Sequence, residues 1–232
     1  MPSVKIIHFS DALCVWAYIG QANLIRAVQE FGDRVEIDVH FCSVFPDTQT
    51  KISTSWRDRG GFDGYADHVK SVVAQFKGVG IHDDVWAKVQ PRSSASPHLF
   101  IKAIELLENN PVSKTGNVGF ADRLSVKAAA EVRHSFFVDA QDVSNWDMQR
   151  QIAEKIGLDF GAVLKKIETG EAIARLAADY ELSISQAVQG SPTYILNEGR
   201  QRLFGNISYR ILAANIHELL TTEPDGDASH CN

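Results

Sequence analysis

Three cysteines in 232 residues, Cys14, Cys42 and Cys231, make an odd count with no paired spacing. A stapled secreted domain needs an even framework, so this usage points to a reducing compartment and to thiols that are free at rest. Basic residues are also in the minority: 23 Lys and Arg stand against 29 Asp and Glu, for a formal net charge of -6. With no long basic run to offset that balance, neither nucleic acid nor an anionic membrane is the expected partner. No apolar run is long enough to span a bilayer, and Met1-Pro2-Ser3-Val4-Lys5 lacks the charged and apolar regions of a secretory leader. A cytoplasmic protein is expected. His68, His82, His98 and His134 lack the i, i+4 pairing of a zinc helix, so no metal is expected. What remains is an ordinary globular composition, 44% hydrophobic and 22% charged, with room for a sizeable core in one domain or in one domain with a large insertion.

The rest of the chain is organised around Cys14-Val15-Trp16-Ala17. Val4 to Phe9 is apolar on both alternating faces and reads as a strand inside a sheet. After the turn Ser10 to Leu13, the residues Val15, Ile19, Ala22 and Ile25 follow helical spacing until Gly32-Asp33 stops the pattern, which predicts a helix over about 14–31. A thiol in the first turn of a helix faces unpaired N–H groups and the positive end of the macrodipole. Both favour thiolate, so the Cys14 pKa is expected below the ordinary value of about 8.5 and Cys14 is the candidate nucleophile. Ala17 stands where a Cys-x-x-Cys motif carries its second thiol, so that motif is half present. Trp16 is as well placed to line the site as to pack, Tyr18 less so, and Asp11 reads as a cap that orients the turn. His8 reads as a hydrogen-bonded core residue.

Val35, Ile37, Val39 and Phe41 then alternate with Glu36, Asp38, His40 and Cys42, the pattern of a half-solvated edge strand. The unit is βαβ with parallel strands, whose C-terminal ends share one sheet edge, so Cys42 belongs at the same end as Cys14. A packed structural thiol is the favoured reading of Cys42 over a bonding partner, which would need Cα atoms within about 7 Å. From Phe45 strand patterns give way to helices: Tyr65 to Phe76, a helix opened by Ser96 as N-cap and Pro97, Ala121 to Val138, Asn145 to Ile156, Phe160 to Ile167 and Glu171 to Val188. Thr193 to Leu196, the turn Asn197-Glu198-Gly199 and Gln201 to Phe204 read as a hairpin, and Ile207 to Leu220 as a last helix. The composition beyond Thr221 is that of a frayed tail, and it carries Cys231.

The order βαβ, helices, ββα together with the half-motif resembles the α/β thioredoxin-like fold with a large helical insertion. Asp11 to Gly20 is similar to the active-site stretch of cytosolic DsbA-family members, and Gly190-Ser191-Pro192-Thr193 resembles their cis-proline loop. On that resemblance residues 1–45 and 158–221 form the thioredoxin-like domain, 46–157 the helical insertion and 222–232 a disordered tail. It implies a cis Ser191-Pro192 bond beside Cys14, with Trp16, Ser191, Pro192 and Thr193 on the substrate side. The same stretch is similar to kappa-class glutathione transferases and 2-hydroxychromene-2-carboxylate isomerases, which carry serine at the position of Cys14. Phe204-Gly205-Asn206 resembles their glutathione-side segment, so Gly205 and Asn206 are the candidate glutathione contacts.

Three functions follow. The first is a monothiol thiol-disulfide oxidoreductase in which Cys14 attacks a disulfide of a protein or small molecule and an external thiol such as glutathione resolves the adduct. The second is a glutathione-dependent transferase or isomerase in which Cys14 assists. The third is a non-catalytic peptide-binding module. Glutathione would be a co-substrate and not a tightly bound cofactor, and each reading is compatible with a homodimer.

Overall fold

The computed structural model describes residues 3–109 and 118–221. The strand β1 (Val4–Ser10) lies inside a four-stranded sheet of order β2-β1-β3-β4. It runs parallel to β2 (Val35–Phe41) and antiparallel to β3 (Thr193–Leu196), and β3 pairs antiparallel with β4 (Gln201–Phe204). The alternating strand β2 is at an edge, where one side of its ladder is unpaired. The helix α1 (Val15–Phe31) joins β1 to β2 and, with α9 (Tyr209–Thr221), covers one face of the sheet. Val4, Ile6, Leu24, Phe31, Ile37, Tyr194, Leu196, Leu212 and Ile216 form the core there.

Between β2 and β3 the chain forms α2 (Thr48–Ser55), α3 (Gly61–Val73), α4 (Ala95–Glu108), α5 (Leu124–Phe137), α6 (Trp146–Lys155), α7 (Phe160–Glu168) and α8 (Glu171–Ser185). One hydrophobic cluster runs without a break from Ala12, Leu13, Cys14, Val15 and Ala17 into Val69, Trp86, Phe100, Phe136, Phe160 and Leu176. The start of α1 is therefore set into the helical layer as well as into the sheet. Against the face of the sheet away from α1, Phe9, Cys42 and Ile195 make a small separate cluster that meets Leu182 of α8.

Several helix ends differ from the sequence expectation. The helix α4 begins at Ala95, one residue before the expected cap, and Pro97 sits within its first turn. Ser93, not Ser96, accepts the Ala95 N–H, while Ser96 donates to the Ser144 carbonyl. The stretch expected as one helix from Ala121 is broken: residues Phe120–Asp122 form a single 3-10 turn and Arg123 is extended before α5 starts. The expected helix from Tyr65 starts four residues earlier, at Gly61, and α8 stops at Ser185, short of Val188. The helix α2 has too weak an apolar pattern to be read from periodicity, yet Asp47 caps it by accepting from the N–H groups of Gln49 and Thr50. The expected tail at 222–232, with Cys231, lies outside the described residues. No helix among the described residues is long and apolar enough to cross a membrane.

Candidate active site

Cys14 is the N-cap of α1, extended at φ -81° and ψ 119°, with its carbonyl accepting from Tyr18 N at 3.0 Å. The turn that delivers it is held by Asp11, which is fully buried. One carboxylate oxygen of Asp11 accepts from Leu13 N at 2.9 Å; the other accepts from Val44 N, Phe45 N and Ser94 Oγ at 3.0, 3.1 and 2.7 Å. Four donors from three segments make this more than a local cap, which is all that the sequence suggested. His98 supports the same turn: its Nε2 lies 2.9 Å from Ala12 N and must accept that N–H, so Nδ1 carries the ring proton toward Tyr180 Oη at 3.0 Å. Burial lowers the His98 pKa to about 4, in agreement with a neutral ring.

The second half of the site comes from the other end of the chain. The Ser191-Pro192 peptide bond is cis. Ser191 Oγ accepts from Asp11 N at 2.9 Å, and the Cys14 thiol donates to the Ser191 carbonyl at 3.3 Å. Two hydrogen bonds thus dock the proline loop onto the cysteine turn. Gly205, at φ +79°, donates its N–H to the Pro192 carbonyl at 2.9 Å and continues the same corner. Asn206 follows it, half-buried.

A cleft of about 270 Å³ opens beside the sulfur. Cys14, Trp16, Gly190 and Ser191 line it, together with Phe204 and the aromatic rings of Phe45, Trp56 and Tyr65 from the helical layer and its approach. Phe204 is 59% exposed on an edge strand, and its ring crosses so close to Gly190 that a Cβ there would lie 3.1 Å from it. Glycine is what permits that approach. Trp16 meets Phe76 edge-on with ring centroids 6.3 Å apart. Lys51 also lines the cleft, its Nζ bonded to the Val44 carbonyl and 4.9 Å from the Phe45 ring centre. The wall formed by Phe45, Lys51, Trp56 and Tyr65 was not found from sequence, because nothing in its spacing shows that those residues converge on Cys14. Pro192 and Thr193 are buried behind the cleft, with Thr193 Oγ1 donating to the Gly190 carbonyl at 2.8 Å. Tyr18 points away into the helical layer, stacked on Phe137 and donating to the Gly80 carbonyl.

The electrostatics correct the expectation for Cys14. The residue is only 6% exposed, and burial pushes its thiol above the ordinary value. The Ser191 side chain and the N–H groups of Ala17 and Trp16 favour thiolate, as the helix N-terminus should, but desolvation of the charged form outweighs them, and the nearby Asp11 charge adds to it. Burial likewise raises Cys42, so neither sulfur is a ready thiolate. Both are free thiols and no bond joins them. His8 is buried as expected, yet among the described residues its Nδ1 has no hydrogen-bond partner, and burial with the Arg133 charge lowers its pKa to about 3. Among the described residues, no group of His, Cys, Asp and Glu could hold a metal ion.

A four-stranded sheet of this order, a cysteine at the first turn of its first helix and a cis-proline loop against that cysteine define a thioredoxin-like fold. Residues 116–217 match the family model of the DSBA-like thioredoxin domain. Among curated proteins, the chain is 23% identical to the ClpXP adapter protein SpxH of Halalkalibacterium halodurans, across 96% of this chain and 69% of the relative. A solved structure from Nitrosomonas europaea, 13% identical, covers 94% of this chain and 98% of its own with a TM-score of 0.74. The cytosolic disulfide reductase DsbM from Pseudomonas aeruginosa with GSH, 17% identical, covers 92% of this chain and 99% of its own with a TM-score of 0.63. At these identities the two structures speak for the fold.

Proposed function

We propose that the protein performs monothiol thiol-disulfide exchange at Cys14, with glutathione or another small thiol as the resolving partner. The observation that carries this reading is the Cys14 thiol set 3.3 Å from the carbonyl of Ser191, in the lining of an aromatic cleft. The Cys14 thiolate attacks one sulfur of a disulfide; the new Cys14 disulfide forms as the old S–S bond breaks, and the other sulfur leaves as thiolate. A glutathione thiolate then attacks the outer sulfur of the adduct and releases Cys14. Ala17 has no sulfur to perform that second step internally. Gly205 and Asn206, beside the proline loop, are proposed on the glutathione side, and Trp16 and Ser191 on the side of the disulfide substrate. The glutathione bound to the similar DsbM fold lends support to this choice of resolving thiol.

The buried, protonated sulfur and the SpxH likeness favour one second reading, a peptide-binding module without turnover. Mass spectrometry after exposure to oxidised glutathione separates the two. Under the exchange reading native Cys14 gains a glutathione adduct, Cys14→Ser does not, and Ala17→Cys converts the adduct to an internal disulfide. An unmodified native Cys14 would leave the binding module.

A further inference from the structure

A second cavity, of about 350 Å³, lies between α1, α4, α5 and the β2 edge, and none of its lining residues lines the Cys14 cleft. Its walls hold four cations. Lys102 bonds Glu105 and Asp179 at 2.6 and 2.8 Å, Arg175 bonds Glu105 at 3.0 Å, and Arg123 donates to the Ile37 carbonyl at 3.2 Å. Arg133 is different. It is 94% buried, since only 6% is exposed, yet among the described residues it makes a single bond, from Nη2 to Ser10 Oγ at 3.0 Å, and its Nε has no partner there. No carboxylate forms an ion pair with it among the described residues. On the same wall His8 Nδ1 and Gln21 Oε1 are also buried without partners.

A buried guanidinium with unused donors carries a desolvation cost that an anion in contact with it would offset. The apolar lining comes from Leu24, Ile25, Val39, Ile101, Val126 and Ala129; the carboxylates of Asp38, Glu105 and Glu108 also line the cavity, where Asp38 faces His40, Glu105 pairs with Lys102 and Arg175, and Glu108 accepts from Ser125. The volume falls in the range of small-molecule sites, in which a few polar groups orient a mostly apolar ligand. We propose that this cavity is a second binding site that takes an aliphatic carboxylate, with its headgroup on Arg133 and its chain along the α1, α4 and α5 side chains. A carboxylate matches the fork of the guanidinium with two parallel hydrogen bonds.

The test is calorimetric titration of the native protein with octanoate, and with octanamide, octylamine and acetate as controls. Octanoate should bind at least tenfold more tightly than octanamide or acetate, and octylamine should not bind. Arg133→Gln should abolish the preference for octanoate over octanamide. Because that variant removes a buried residue, Ala129→Phe provides a second arm: it fills the apolar half, leaves Arg133 in place and should weaken octanoate at least tenfold with the circular dichroism spectrum retained. Octanoate binding no better than octanamide, or binding undiminished in Ala129→Phe, would overturn the proposal. The Cys14→Ser variant should bind octanoate as the native chain does, so loss of the exchange activity and loss of this site are read separately.

Discussion

The thiol of Cys14 donates its hydrogen to the carbonyl oxygen of Ser191, 177 residues further along the chain. That bond exists only while the sulfur is protonated, because a thiolate has no hydrogen to give and would face the oxygen lone pairs. Together with burial it holds the resting sulfur in its unreactive form.

Alkylation of Cys14, followed against pH in a Cys42→Ala, Cys231→Ser background, should therefore show a midpoint above the ordinary thiol value of about 8.5. The Asp11 charge is one of the causes raising that midpoint, so Asp11→Asn should move it down while destabilising the fold by about 2–3 kcal/mol through the impaired bonds to Leu13, Val44, Phe45 and Ser94. A native midpoint under about 8 would mean that the helix N-terminus outweighs desolvation after all.

Stability should be highest near neutral pH, for reasons of opposite sign. His8 and His98 have folded pKa values lowered to about 3 and about 4, so the stability tied to their neutral rings is present above about 6.5 and is lost as pH falls toward those values. His40 behaves in reverse. Burial alone would lower it, but Asp179 at 2.7 Å and Asp38 at 3.6 Å outweigh burial and raise it to about 9. Its contribution is complete below about 6.5 and is lost as pH rises through about 9. Urea unfolding measured from pH 4.5 to 9.5 should trace both limbs, and His40→Gln should flatten the alkaline one only.

Lys102 is fully buried among Asp179, Glu105 and the Val39 carbonyl. Lys102→Met leaves Asp179 with less compensation in the interior and should cost about 3–5 kcal/mol. Chemical denaturation of Lys102→Met, Asp179→Asn and the double variant should show the double costing less than the sum of the singles, since the two groups share one interaction.

The sheet and the two ends of the site were legible in the sequence because each rests on local signals: the two-sided apolar run of β1, the strict alternation of β2, the glycine turn between β3 and β4, and Ser191-Pro192. Helix boundaries were less so. Pro97 looks like a first helical residue, but α4 already starts two residues earlier at Ala95, whose N–H donates to the Ser93 hydroxyl, and the break at Arg123 accompanies its non-helical backbone and its bond to the Ile37 carbonyl, which no periodicity records. The protonation of Cys14 was misread for a different reason. A helix N-terminus is visible in sequence, whereas the depth at which Trp16, Phe45 and the proline loop enclose the sulfur is a property of tertiary packing. Arg133 illustrates the same limit: a lone arginine in an amphipathic helix gives no hint that its charge is interior.

The four bonds on Asp11 bear on motion as well as position. They gather the Cys14 turn, the segment after β2 and the start of α4 onto one carboxylate, so the turn cannot open as a loose surface loop does. Any opening large enough to bare the sulfur disrupts three segments at once and belongs to a cooperative unit of the core. Under the proposed exchange a bulky disulfide must therefore shape itself to a rigid entrance, and partners with an extended, slender approach to sulfur would gain a kinetic advantage over compact ones.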